Sequence, residues 1–432
     1  MLFAALGSLL YMGARIALAV PSPDADPEMG AFDPINTILS LVMLGFGLFH
    51  ALRYPRATLL ISLRAWPFAL AVVVAAASAM WSQSPEHSLR RALSLATLLL
   101  FAAAIWNKLG LRRFMRVLVG TTIFACIASL GEAVIRPEIG FDIGEYADAI
   151  RGIFWQKNVF GFALLGGTVA LAFVALDRRR LRGKDIAVAL FFLIMLMLSR
   201  STTALLLSVA VMGGTFVALG LDRGGAWRAA ILILTAGGVT LALLILTLLG
   251  SSGVFEAIGK DDTLTGRVYI WAEVYEAIGL RRYLGYGYNA FWLQGTNPAE
   301  VIWQRIGWLA PTAHSGYLDV ALQLGMLGVA VVVMAHLLVL SRAAMAIFDG
   351  RRPQAFWVLM VSATYLVYNY SESLLLRPDL QFLLWMMASL AVAPVMRKQG
   401  AESWVGPWSF RSARRPHAAK GPAQKTLPVP AP

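Results

Sequence analysis

Apolar runs long enough to cross a bilayer, about 20 residues each, recur along most of this chain, and polar residues fall between them in short clusters. The qualifying windows are 2–20, 35–52, 65–81, 92–106, 117–135, 153–176, 186–199, 202–221, 229–249, 316–341, 355–375 and 379–396. They predict about 12 transmembrane helices, with 92–106 and 186–199 the shortest. Backbone amides in hydrocarbon must pair within their own segment, so helices are expected. The alternating ten-residue segments of a membrane β-barrel are absent from the sequence. The predicted fold class is therefore an all-α polytopic membrane protein. The pattern is broken once, between Ser251 and His314, by one long loop joining predicted helices 9 and 10.

That loop is rich in aromatics, glycines and arginines. Trp271, Val274, Tyr275 and Ile278 recur at helical spacing after Thr263 and Thr265, either of which can cap a helix start, and Gly285 and Gly287 end the pattern. The following Tyr286, Tyr288, Phe291 and Trp292 are expected to rest on the outer membrane surface, as interface anchors or as platforms for sugar rings. Pairs of glycines at 166–167, 213–214 and 237–238 suit close helix packing, or alternatively the broken helices of a transporter.

Composition agrees with lipid as the solvent: 58% of residues are hydrophobic and 14% charged. A net charge of +13 could point to nucleic acid, but its distribution does not. Of the 37 basic residues, 24 lie in alternate loops and the tail, among them Arg53, Lys108, Arg112, Arg178, Lys184, Arg342 and Arg352. The positive-inside rule puts these in the cytoplasm with both termini, and the long loop in the periplasm or outside. The expected organisation is a single transmembrane domain over 1–396, with its periplasmic loop at about 250–315, and a disordered basic cytoplasmic tail over 397–432. Residues 17–21 resemble a signal-peptidase site, but Arg15 interrupts the preceding run, and an uncleaved first helix is expected. The single cysteine, Cys126, lies in an apolar run and reads as a buried small residue.

Charged side chains in a bilayer are costly, so those at helix ends locate candidate chemistry. Arg200 sits between two apolar runs, either snorkelling outward or binding an anion. Arg267 follows Gly266 where a helix should begin, and free amides there would reinforce anion binding. His314 immediately precedes the tenth span, where an imidazole can cap, bridge water or exchange protons near neutral pH. Lys157 and Asn158 open the sixth span, and Tyr368, Asn369, Glu372 and Arg377 close the eleventh. Together these outline a basic pocket opening outward, suited to a diphosphate beneath a sugar chain. Asp261–Asp262 has no third metal ligand at useful spacing, and no P-loop, zinc motif, Ser–His–Asp set or dinucleotide fingerprint appears in context. Neither a metal nor a cofactor is expected.

FWQKNVFG (154–161), SRSTTALL (199–206), TLTGRVYIW (263–271), LGYGYNAFW (284–292) and AHSGYLDVALQLGMLG (313–328) resemble, in order and spacing, the O-antigen ligase and polymerase family of bacterial envelope glycosyltransferases, particularly its exopolysaccharide polymerases. The similarity extends over roughly 35–395; Ser315 departs from the asparagine common after the histidine. The resemblance implies a metal-independent glycosyltransferase at the periplasmic face of the inner membrane, with a glycan on undecaprenyl diphosphate as donor. It implies His314 as catalytic base, Arg200 and Arg267 as holders of the donor diphosphate, and a less defined role for Lys157 and Asn158. Arg377 would widen the positive site. Membrane lipid, a chain-length regulator and export proteins are the implied partners, and nucleic acid is not. Ligation of O-antigen to lipid A–core differs only in acceptor and stays open. A polysaccharide or lipid-linked sugar transporter, and a non-catalytic assembly subunit, are the readings of another class.

Overall fold

The computed structural model describes residues 1–14, 34–142, 147–223 and 267–393. Several expectations lie outside them: the second half of the 2–20 window, the 229–249 span, Gly237–Gly238, Thr263, Thr265, Asp261–Asp262 and the tail over 397–432. The chain divides into Met1–Pro394 and Val395–Pro432, the latter unit outside the described residues.

Among the described residues the protein is helical, with only isolated bridges such as Ala14–Phe154 and no strand. The elements are α1 (Leu2–Tyr11), α2 (Pro34–Arg53), α3 (Pro55–Arg64), α4 (Trp66–Ala77), α5 (Pro85–Lys108), α6 (Gly110–Ile135), α7 (Pro137–Gly140), α8 (Lys157–Arg178), α9 (Gly183–Leu198), α10 (Thr202–Arg223), α11 (Arg267–Leu280), α12 (Asn297–Ile306), α13 (Gly316–Phe348), α14 (Arg352–Ser371) and α15 (Leu380–Ala391). Six of these are long and apolar enough to cross a membrane, or seven if the bent α3–α4 pair is one span. Helices overlap eleven of the predicted windows, but α1, α9 and α15 are short, with 10, 16 and 12 residues. Window 65–81 coincides with the second half of a bent pair: α4 has 12 residues, Pro67 lies in its first turn, and the chain turns by 95° between α3 and α4, at the start of the window. Helix α5 is longer than its window because it includes the polar turn Pro85–Arg91.

Helix α8 occupies the middle of the bundle and packs against α6, α9, α10, α14 and α15. Small residues permit this. A Cβ on Gly167 would lie 2.5 Å from Thr122 Cγ2, and one on Gly166 would lie 2.3 Å from Leu380 Cδ2. The close-packing reading therefore holds at Gly166–Gly167. Cys126 is fully buried, as expected. The cationic loops collect at one end of the bundle: Arg112 pairs with Asp177 at 2.8 Å, Lys108 lies 3.6 Å from the Tyr54 ring centre, and Arg342 donates to Ser389 O at 3.3 Å.

The long α13 is broken near its start. Gly325 has φ 59° and ψ −155°, which turns the amides of Met326 and Leu327 away from the carbonyls of Leu322 and Gln323. The loop after α11 replaces both lost bonds. Met326 N–H donates to Arg282 O at 2.9 Å and Leu327 N–H to Tyr283 O at 3.3 Å. The freed Leu322 and Gln323 carbonyls each accept at 2.9 Å, from Tyr286 N–H and Gly287 N–H respectively. Backbone meets backbone here: a Cβ on Gly325 would lie 2.4 Å from Tyr283 C, and one on Gly285 would lie 2.5 Å from Leu322 O.

The same loop is tied to the α4–α5 turn. Trp81 Nε1–H donates to Leu284 O at 2.8 Å, Gln83 N–H to Tyr286 O at 3.1 Å, and Tyr288 N–H to Ser78 Oγ at 2.9 Å. Tyr286, Tyr288, Phe291 and Trp292 are at most 5% exposed. They are not surface anchors or sugar platforms, as the sequence pattern suggested. Tyr286, Phe291 and Trp292 form a second small core with Ile270, Val274 and Trp303 beneath the loop layer. Alternation around glycines made these rings look available, but the turns at Gly285 and Gly287 fold them inward.

Gly325→Ala should lower stability by about 1–3 kcal/mol, the usual cost of a side chain at such a backbone position, read as a lower thermal midpoint in detergent. Gly120→Ala, at a position with nothing within 4 Å, should leave the midpoint in place. Equal midpoints for the two variants would contradict the account of the break.

Candidate functional site

His314 stands just before α13, and its backbone is held from every side. Its φ is +49°, uncommon for a residue with a side chain. Its N–H donates to Thr312 Oγ1 at 3.2 Å. On one flank, Ala313 N–H donates to Asp319 Oδ1 at 3.2 Å and Ala313 O accepts from Trp271 Nε1 at 2.9 Å. Asp319 is itself fixed by Trp292 Nε1–H at 2.8 Å. On the other flank, Gly316 N–H donates to Glu372 O at 3.0 Å. A Cβ at Gly316 would sit 2.2 Å from Asn369 Oδ1, so glycine is required for this approach. These ties place the imidazole by backbone geometry, as strained residues at functional sites are placed.

The imidazole faces a cavity of about 310 Å³ at the end of the bundle opposite the cationic loops. Thr312, Asn158, Arg91, Glu372, Arg377 and Asp379 also line it. That size lies at the lower end for small-molecule sites. Asn158 Nδ2–H donates to Glu372 Oε1 at 3.4 Å. The chain leading into α8 is ordered by Arg151, buried to 2% exposure, which donates to Ile139 O at 2.9 Å and Trp155 O at 3.2 Å. Burial lowers the Arg151 pKa, and the nearby Asp142 carboxylate opposes that shift. Asp142 also accepts from Lys157 N–H at 2.9 Å, occupying one free amide at the start of α8. Tyr288, next to the lining residue Asn289, is buried and donates to Leu376 O. Burial pushes its phenol well above the usual range, against the charges of Arg377 and Arg91.

Of the residues singled out in the sequence, His314, Asn158 and Arg377 share this cavity. Lys157 opens α8 but is not in the lining. Arg200, with φ +48°, lies between α9 and α10 and pairs with Asp148; the two side chains are 58% and 56% exposed, outside the lining. Arg267 begins α11, and its side chain lies outside what is described. The sequence reading passed over Arg91 and Asp379. A signal for Arg91 was present: Arg90–Arg91 is a cationic pair at the end of a span where the positive-inside rule disfavours one. Among the described residues, no group of three or more His, Cys, Asp or Glu is placed to hold a metal.

A helical membrane bundle with a histidine cavity at the end opposite its cationic loops is the class of protein these features define. The family model for O-antigen ligase matches residues 187–333, from α9 through the break in α13, so the likeness seen in the motifs stands. Across a longer stretch the chain is similar to the exopolysaccharide production protein ExoQ of Rhizobium meliloti (strain 1021), at 26% identity over 355 residues, covering 78% of this chain and 79% of that protein.

The cavity predicts a labelling pattern. A water-soluble maleimide should modify Asn158→Cys and leave the unaltered chain unlabelled, since its one cysteine, Cys126, is buried. Labelling of the unaltered chain at a comparable rate would contradict the packing around α6.

Proposed function

We propose that this protein is a glycosyltransferase that polymerises oligosaccharide units carried on undecaprenyl diphosphate into exopolysaccharide, at the periplasmic face of the inner membrane. The observation that carries this reading is the strained, backbone-fixed His314 in a cavity that also presents Asn158 and Arg377. The similarity to an O-antigen ligase model and to an exopolysaccharide production protein supports the same chemistry. The cationic loops at the opposite end support a topology of twelve spans with both termini cytoplasmic and the 250–315 loop periplasmic. A basic tail over 397–432 would then lie in the cytoplasm.

In this mechanism His314 accepts the proton of an acceptor hydroxyl as its oxygen attacks the anomeric carbon of the donor sugar. The bond from that carbon to the phosphate oxygen breaks, and its electron pair leaves with undecaprenyl diphosphate. Arginine suits the developing charge, because it stays protonated and contacts phosphate through two N–H groups. Arg377 lines the cavity and is proposed to take this role. Arg200 and Arg267 are proposed to hold the diphosphate; Arg200 would exchange its exposed partner Asp148 for phosphate, an inexpensive step because exposed ion pairs contribute little. Lys157, beside Asn158, adds positive potential.

Transfer of a finished glycan to lipid A–core is the second reading, favoured by the description of the matched family model. A deletion strain separates the two. Loss of secreted polymer with unchanged lipopolysaccharide is expected, restored by the wild-type gene and not by His314→Ala. Truncated lipopolysaccharide with normal secreted polymer would overturn the polymerase reading, and restoration by His314→Ala would remove the histidine from its role.

A further inference from the structure

Every residue from Gly285 to Trp292 is buried except Asn289, which is half-buried and lines the His314 cavity. Its backbone is held in the left-handed region, with φ +56°. The peptide groups on both sides of it are engaged. Tyr288 N–H donates to Ser78 Oγ at 2.9 Å, and Tyr288 O accepts from Ser88 Oγ at 2.9 Å. Asn289 N–H donates to Gln323 Oε1 at 3.0 Å, and Ala290 O accepts from Gln83 Nε2 at 2.6 Å. The Tyr288 hydroxyl crosses to Leu376 O, and Leu376, with φ +57°, immediately precedes Arg377. Asn289 is thus braced against the segment that carries Arg377. With His314 at φ +49°, three left-handed residues that bear side chains stand in or beside the walls of one cavity. The Asn289 carboxamide itself has no hydrogen-bond partner among the described residues.

A turn of this kind needs no side chain. Glycine stands at the positive-φ positions 285 and 287 just before it, and asparagine tolerates the same backbone. What asparagine adds is a neutral group with two N–H donors and a carbonyl acceptor. A phosphate offers acceptors only, and the guanidiniums of Arg91 and Arg377 already stand in the same lining. A sugar hydroxyl both donates and accepts, which is the complement of a carboxamide. Resting on the function proposed above, we infer that Asn289 recognises a hydroxyl of the sugar held beside His314 and so selects which glycan is transferred. The sugar joined to the diphosphate and the sugar bearing the attacking hydroxyl both offer this group. A sugar that lacks it leaves the braced carboxamide unpaired, which is how hydrogen-bonding sites reject deoxy analogues. No bond is made or broken in this recognition.

The test compares the full chain with its Asn289→Gly variant in nanodiscs. Glycine takes the left-handed backbone without strain, so this variant removes the side chain and keeps the turn. The substrates are the lipid-diphosphate repeat unit extracted from the producing cells and synthetic versions in which each hydroxyl of the phosphate-linked sugar or of the terminal sugar is replaced in turn by hydrogen. The wild type should turn over one of these deoxy analogues about tenfold more slowly than the parent, and Asn289→Gly should bring that ratio close to one. A change confined to the phosphate-linked sugar assigns the recognised hydroxyl to the donor, and one confined to the terminal sugar assigns it to the acceptor. Ratios that are the same in both proteins, as expected of an asparagine that only shapes the turn, would overturn the inference. Each ratio is taken within one preparation, so the amount of folded protein cancels. As a second readout, saturation-transfer NMR with the lipid-free repeat oligosaccharide should show contact with the wild type and at least several-fold weaker contact with Asn289→Gly, and equal signals would count against the assignment. Oligosaccharide binding that depends on Asn289 in a protein that transfers nothing would sink the proposed function alone; transfer with unchanged selectivity would sink this inference alone.

Discussion

The structure depends on the exchange of backbone hydrogen bonds where α13 breaks at Gly325. A broken helix at membrane depth leaves amides and carbonyls without partners, and hydrocarbon offers none. The 281–288 loop supplies all four partners, so the break and the loop conformation require one another. A typical net contribution of about 0.5–1.5 kcal/mol per bond understates this coupling, because unmaking the set leaves buried groups unsatisfied. The loop then continues to Trp292, whose indole fixes Asp319, which in turn fixes the Ala313 amide beside His314. The position of the imidazole thus follows from a chain of contacts that begins at a glycine eleven residues further along.

The cavity has a mixed charge character with consequences for what enters it. Arg91 and Arg377 are accompanied by Glu372 and Asp379 in the lining. A purely cationic pocket would bind phosphate tightly and release it slowly. Glu372 accepts from Asn158 Nδ2–H at 3.4 Å and the buried Asp379 caps α15, accepting from Phe382 N–H at 2.8 Å, so acidic groups already engaged within the protein stand between the arginines. In the function proposed above, catalysis would rely on groups fixed in advance of the charge they stabilise, and the held backbone at His314 would supply one of them.

Much of the fold was legible because bilayer thickness imposes a length that hydropathy reports directly. The helices over 110–135, 157–178 and 202–223 follow from their apolar runs alone. The boundary at Ala65 is marked by Arg64 and Pro67 and begins the 65–81 window, but the helix before it, α3, was not legible because its 55–64 stretch is too short and too polar to qualify as a span. His314, Asn158 and Arg377 were found because polar residues at span ends are few. Arg91 was missed because it precedes an apolar window and was counted with the loop, although the helix begins six residues earlier, at Pro85. The aromatics of the 286–292 segment misled because burial in a loop core and exposure at an interface favour the same residue types. Only tertiary contact with 299–322 distinguishes the two.

The most direct measurement of the central claim is release of free polyprenyl diphosphate by purified protein from a lipid-diphosphate oligosaccharide, compared between the wild type and a correctly folded His314→Gln variant. The account predicts a rate lower by about 10²–10⁴-fold in the variant, the usual contribution of a positioned base. Release at the wild-type rate would show that the imidazole is not the group that takes the proton.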